Sequence, residues 1–481
     1  MSSIYAQSLA LLTDLYQLTM AYGYWKKGLA DLEAVFHLFF RKKPFQGEIA
    51  VAAGLEAAVQ FIRDFRYTPS DLAYLEQLRL FEPAFLDYLS ALSFTCSLDA
   101  MPEGTPVFPY EPLLRVQGPM LQAQLLESPL LNIVNFQTLI ATKAARICWA
   151  ARPDPVVEFG LRRAQGIDGA LSASRAAFIG GCHSTSNVLA GKLFGIPVKG
   201  THAHSWIMLF DAEQEAFDAW ADVMPHNCIF LVDTYDSIAG VKRAMRTAKA
   251  LRKRGCEMIG VRLDSGDLAH LSIEIRRLLD AEGFPKALIM ASNELDESIV
   301  NDLKHQGAKI DLWGIGTNLV TGKDQPALDG VYKLAAIKDA SGKWRHKLKI
   351  SEQTAKVTDP GVLQVRRFFN DQGCLADMVF DIHTEPKERF TIVDHFDAAR
   401  TKQISQIPYR DLLVPVLRAG ELVYAFPTLA DVREKTIREL AAFHPATRRF
   451  LYPQPYFSGL EKGLFEEKLA LIEEIKRSAA P

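Results

Sequence analysis

Between about residues 155 and 335 the chain repeats one local grammar: a short apolar run, a cluster of polar residues and glycine, then a helical stretch. The runs are VVEFGLRR from Val156, FIGGCHSTSN from Phe178, GTHAHSW from Gly200, IFLVDTYDS from Ile229, GVRLDSGD from Gly260, LIMASNELD from Leu288 and LWGIGTN from Leu312. They recur every 20 to 32 residues, the length of one strand, loop and helix. In every unit the polar cluster follows the strand and precedes the helix. That order brings all the clusters to one end of a parallel sheet, where the loops of a barrel or doubly wound sheet converge on a single site. The expected fold class is therefore α/β. A (β/α) barrel is favoured, irregular because there are seven good units rather than eight, with an open sheet as the alternative.

The flanks read differently. Residues 1 to 138 mix helical patterns (Leu11 to Trp25, Leu55 to Phe65, Ser70 to Leu78) with strand-like runs such as EAVFHLFFR and EPLLRVQG. After residue 339, turn signals separate strands such as GVLQVRRFF, ADMVFDI and LLVPVLRAGELVYAF, and a helical tail follows. The expectation is an α+β domain formed by both chain termini, 1–138 together with 339–481, beside a barrel domain over 139–338. A length of 481 residues supports more than one core.

Charge excludes some partners. There are 55 Lys and Arg against 57 Asp and Glu, a net charge of −2, so no overall basic field points to nucleic acid or to an acidic membrane surface. No apolar run reaches the roughly 18 residues that cross a bilayer. The N-terminal stretch carries Asp14 and no leading basic residue, unlike a secretory signal, so a cytoplasmic location is expected. The six cysteines are scattered singly without a C-x-x-C pair, which argues against a disulfide framework and against a cysteine zinc site.

The clusters carry a consistent kit. GTHAHSW supplies Thr201, His202, His204 and Ser205; two His at i and i+2 on a strand would share a face, and His also suits acid/base work or accepting a phosphoryl group. VRLDSGD supplies Arg262 for a planar carboxylate, Asp264 for a ribose hydroxyl or Mg²⁺, and Ser265 and Gly266 as backbone donors to phosphate. GIGTN adds Gly314, Gly316 and Thr317, where missing side chains admit phosphate to the backbone. EFGLRR adds Phe159, Arg162 and Arg163, an aromatic face beside two cations. Asp14, Tyr16 and Gln17 lie on an expected N-terminal helix whose aromatic residues read most simply as core. Together these loops describe a site for an anionic, phosphorylated substrate.

The ordered set TDLYQLTMAYGYW, EFGLRRAQG, GTHAHSW, LVDTYDS, VRLDSGD, SNELDE, GIGTNLVT and DGVYKL, with LLVPVLRAGELVY and PYFSGL beyond it, resembles nicotinate phosphoribosyltransferases over essentially the whole chain. The resemblance implies an irregular barrel beside an α+β domain. It also implies formation of nicotinate mononucleotide and diphosphate from nicotinate and 5-phosphoribosyl 1-diphosphate, coupled to ATP hydrolysis, dependent on Mg²⁺ and serving NAD salvage. By position His204 matches the histidine transiently phosphorylated by ATP, and no catalytic role falls on His202. Thr201, Ser205 and Arg262 match positions around the nicotinate carboxylate, and Gly316 and Thr317 match a phosphate-contacting loop. Phe159 and Tyr16 match the two faces of a ring sandwich, with Tyr16 supplied by the second subunit of a homodimer, which reverses its reading as core. Arg162 and Asp264 match diphosphate or nucleotide ligands and ribose or Mg²⁺ support. Some relatives carry a cysteine zinc module; the cysteines here provide none. The alternatives are the same transfer to nicotinamide and, from another class, a barrel lyase acting on a sugar phosphate.

Overall fold

The computed structural model describes residues 9–384 and 389–478; the first eight residues of the stretch read against a secretory signal lie outside them. The chain divides into two compact units. One comprises Met1–Leu139, Ala327–Thr428 and Lys435–Pro481, the other Ile140–Pro326 with Leu429–Glu434. The expected boundary near 338 is thus drawn at Pro326.

In the second unit six parallel strands stand in the order Ser184–Thr185, Val156–Glu158, Leu312–Ile315, Leu288–Ala291, Gly260–Leu263 and Ile229–Leu231. Within them Val157, Trp313, Ile289, Val261 and Phe230 are buried and β-branched or bulky, as strands covered on both faces require. Two of the seven expected strands are corrected. Phe178 and Ile179 end the helix Gly166–Ile179, and the strand begins only at Ser184. GTHAHSW is not a strand: only Val198 makes an isolated parallel bridge, to Thr185, and His204 opens the short helix His204–Met208. The expectation of a barrel is corrected with them, because the two edge strands do not pair and the sheet remains a half-barrel. At the open edge the Leu231 N–H donates to His202 Nε2 (3.4 Å), so a side chain takes the place of a neighbouring strand's carbonyl.

The loop chemistry also explains where the helices start. Asn187 accepts from Ala190 N (3.2 Å), Asp236 from Ala239 N (2.7 Å), Asp267 from His270 N (3.0 Å) and Asp296 from Ser298 N and Ile299 N (3.0 and 2.9 Å). Each fills an otherwise orphaned N–H at the head of its helix. Asp267→Ala is expected to cost the helix Leu268–Ala281 about 1 kcal/mol. Hydrogen exchange of its first-turn amides should quicken roughly fivefold, with Asp267→Asn near wild type.

The first unit carries a seven-stranded sheet whose strands come from both ends of the chain. Glu33–Phe40 lies antiparallel between Leu114–Pro119 and Gly330–Lys338, and Ser97–Ala100 pairs with Val414–Arg418. A six-stranded sheet built from residues 363–461 completes it. Among the described residues no helix is long and apolar enough to cross a membrane, and the cysteines are free thiols.

Candidate active site

The loops at the C-terminal ends of the half-barrel strands enclose a cavity of about 430 Å³. Its walls include Phe159, Arg162, Thr201, Arg262, Asp264, Gly316 and Thr317, so seven of the expected site residues meet there. His204, Ser205, Ser265 and Gly266 stand beside rather than in the wall. Gly266 has a φ of +80°, which makes it first of all a turn residue leading to the Asp267 cap. Ser205 is exposed on the second position of the His204 helix. Tyr16 belongs to the other unit, in the first turn of the helix Leu15–Lys26, and is 48% exposed; the core reading of this residue is corrected.

The floor is set by glycine. A Cβ on Gly314 would stand 2.9 Å from the Phe159 ring and 2.7 Å from Met290 Cε, so only glycine leaves room for the ring at this strand end. Phe159 N donates to Ile315 O (2.9 Å), locking the two loops together. Asn318, buried at the end of GIGTN, donates to the carbonyls of Glu294 and Leu295 (3.0 and 3.1 Å) and ties in the SNELD loop.

Arg262 Nη1 donates to Thr201 Oγ1 (2.8 Å), while Nε is buried without a hydrogen-bond partner. Burial works against the guanidinium charge, and the Asp264 and Asp233 carboxylates work for it. The result is a cation in the cavity wall with donors left for an anion. Asp233 Oδ2 accepts from Asp264 N (2.8 Å) and Ser265 Oγ (2.7 Å), and its Oδ1 is buried and unpartnered. Asp264 is held by the Ser292 hydroxyl, which donates to its Oδ1.

The two histidines of GTHAHSW part company, which corrects the expectation that they share a face. His202 is buried against the Trp220 ring (5.0 Å between centroids), and burial pulls its pKa down to about 4. His204 is partly exposed, with Nδ1 3.1 Å from Thr234 Oγ1 and Nε2 3.8 Å from Asp264 Oδ2. No metal pair forms, and among the described residues no group of three or more His, Cys, Asp or Glu could hold a metal ion.

Asp233, Thr234, Ser292 and Asn318 were not singled out by sequence reasoning. Asp233 and Thr234 lie in LVDTYDS, Ser292 in the SNELD loop and Asn318 in GIGTN, so motif membership was the available signal.

Comparison with known proteins agrees in extent as well as in kind. Residues 11–135 match the nicotinate phosphoribosyltransferase N-terminal domain family, and residues 363–468 match the C-terminal domain family. The chain is 43% identical over 474 residues to the nicotinate phosphoribosyltransferase of Bacillus subtilis, spanning 98% of this chain and 96% of that one. The crystal structure of human nicotinic acid phosphoribosyltransferase superposes with a TM-score of 0.84 at 34% identity, covering 95% of this chain and 99% of that one. Nicotinate-nucleotide pyrophosphorylase from Pyrococcus furiosus shares the fold, with a TM-score of 0.69 at 24% identity over 92% of this chain and 98% of that one.

Proposed function

The chain belongs to the nicotinate phosphoribosyltransferase family, and from that premise we infer that it forms nicotinate mononucleotide and diphosphate from nicotinate and 5-phosphoribosyl 1-diphosphate, coupled to ATP hydrolysis. The observation that carries this reading is the meeting of Phe159, Arg262 and Arg162 in one cavity wall: a flat ring face, a cation with free donors and a second cation. Nicotinate is a flat anion and the diphosphate leaving group is a multiple one, so this set matches both.

The mechanism follows from charge. Breaking the bond to diphosphate leaves an oxocarbenium-like ribose, so what the site must do is hold the departing anion and keep the nicotinate nitrogen aimed at the anomeric carbon. Phe159 stacks the ring, and Arg262 with Thr201 and Ser205 takes the carboxylate. Arg162, the Ser265 and Gly266 amides, Gly316 and Thr317 take phosphate oxygens. The ring nitrogen carries no proton, so no general base is needed. Asp233 and Asp264 suit Mg²⁺ shared with substrate phosphates better than a protein-made cage, because Asp233 Oδ1 is buried and unpartnered beside Asp264. Bound there, Mg²⁺ would neutralise charge on the diphosphate. His204, oriented by Thr234, accepts the phosphoryl group of ATP and couples its loss to product release.

The reading extends to a cytoplasmic homodimer that feeds NAD salvage and completes its site with Tyr16 of the partner subunit. Tyr16, Leu12 and Leu15 are each exposed, apolar surface of the kind a second copy could cover. Tyr16→Ala mixed with a His204→Ala chain should regain ATP-coupled activity through hybrid sites. Verified heterodimers without any regain would remove the shared site. The reading as a whole is tested by product analysis with phosphoribosyl diphosphate and each of nicotinate, nicotinamide and quinolinate, with and without ATP. Nicotinate should be the preferred acceptor and ATP should raise its use; preference for nicotinamide would overturn the assignment.

A further inference from the structure

Glu158 ends the strand Val156–Glu158 and is 1% exposed. Nothing in sheet pairing needs a carboxylate there, since Val156 and Val157 make the same ladder with apolar side chains. A buried carboxylate is costly unless its oxygens are hydrogen-bonded, so where those bonds go tells what the residue is for. Oε1 accepts from Gly160 N, inside the loop that follows. Oε2 accepts from Thr185 Oγ1 (2.6 Å) on the neighbouring strand Ser184–Thr185 and from Ser174 Oγ (2.9 Å) on the helix Gly166–Ile179. Asn187 reinforces the pair, its N–H donating to Thr185 Oγ1 (3.0 Å) and its side-chain amide to Ser174 Oγ (3.3 Å). The Glu158 carbonyl accepts from Ser186 N (2.9 Å), and Ser186 itself lines the cavity.

Gly160 is also pinned from the other side, because a Cβ there would stand 2.2 Å from Val320 Cγ1. Phe159 therefore sits between a residue whose carboxylate holds the next amide and a glycine floor at Gly314. We propose that Glu158 is a positioning residue that fixes the ring of Phe159, through the Gly160 amide, at the height a flat aromatic acid requires. This deepens the reading of the site given above and rests on it.

Glu158→Met keeps most of the volume and removes both acceptors, the one for the Gly160 amide included, while Ser174 still has the Ala170 carbonyl for its proton. A loosened loop displaces the stacking ring rather than the reacting atoms. The nicotinate KM should rise about 10- to 100-fold, with kcat at saturating nicotinate changing far less. In a Phe159→Ala background the same substitution should add little, since both act through one ring. A merely structural role would instead lower the melting temperature and give the same effect in both backgrounds. If Glu158→Met does not fold, Thr185→Val, which removes one donor to the carboxylate, takes its place in the same cycle.

An unchanged nicotinate KM in a folded variant, or an effect that persists in full without Phe159, overturns the proposal. Unfolding of both variants does so too, by assigning Glu158 to the core. Wild-type protein that makes no nicotinate mononucleotide overturns the reading of the site first and this proposal with it, so the wild-type assay separates the two failures.

Discussion

Replacing His204 with alanine is expected to abolish ATP hydrolysis and acid-labile labelling from γ-labelled ATP, while slow, ATP-independent formation of nicotinate mononucleotide survives. The two losses go together because one imidazole would receive the phosphoryl group and then give it to water. The transferase step uses other groups, Phe159, Arg162, Arg262 and the GIGT loop, and these line the cavity without His204. Geometry separates the two histidines of the motif. His204 is partly exposed, with a hydroxyl at 3.1 Å to orient its ring, whereas His202 is 5% exposed, packed on Trp220 and already engaged by Leu231 N. His202→Ala should keep the label, at a cost in stability from the emptied edge of the sheet. Thr234→Val should slow labelling without abolishing it, because it removes only the orienting partner. Labelling that survives loss of His204, or vanishes only with loss of His202, would move the coupling role to the neighbouring ring.

Much of the fold was legible because strand order and loop polarity are local properties. Five of the seven apolar runs form strands where their composition places them, at Val156, Ile229, Gly260, Leu288 and Leu312. The two failures have physical causes. FIGG is apolar enough for a strand, but Phe178 and Ile179 complete a helix rich in alanine that began at Gly166, and a short apolar run cannot by itself distinguish a strand from a buried helical turn. GTHAHSW lacks the apolar alternation of a strand, and His202 uses its ring where a strand would use its backbone. That substitution leaves the half-barrel unclosed, and no periodicity could reveal it.

The candidate site was legible to the extent that residue type implies ligand type. Arg262, Phe159 and Arg162 meet in the cavity because each lies at or just beyond the C-terminal end of a strand: Arg262 is the last residue but one of Gly260–Leu263, and Phe159 and Arg162 follow Val156–Glu158. The polar clusters contain two populations, however, which sequence reasoning merged. The last Asx of four of them, Asn187, Asp236, Asp267 and Asp296, caps the following helix. Of the earlier acids, Asp264 lines the cavity, and Asp233 accepts from its N–H just behind it. Capping has its own sequence signature, an Asx directly before a helical stretch, and applying it would have separated the two. Glu158 escaped for the opposite reason: a buried carboxylate has no signature when its partners, Ser174 and Thr185, lie 16 and 27 residues away.

The second large effect is expected at Arg262. Arg262→Ala should raise the nicotinate KM about 10- to 150-fold, corresponding to about 1.5 to 3 kcal/mol for loss of one charge-assisted partner. ATP hydrolysis by the enzyme alone should change little. The argument starts from the cost of placing a guanidinium in a partly buried wall: the nearby carboxylates of Asp264 and Asp233 offset it, and Thr201 occupies one N–H. The donors that Thr201 leaves and the cavity reaches are then available to an incoming anion, while Nε is buried and unpartnered. A neutral amide would bring no charge to meet them, so the loss should fall on nicotinate and narrow its advantage over nicotinamide. Arg262→Lys should recover only part of it, because an ammonium keeps the charge but not the planar fork that meets a carboxylate with two bonds. A rise confined to the phosphoribosyl diphosphate KM would instead place this guanidinium on the leaving group. Equal losses with nicotinate and nicotinamide would remove it from recognition of the carboxylate altogether.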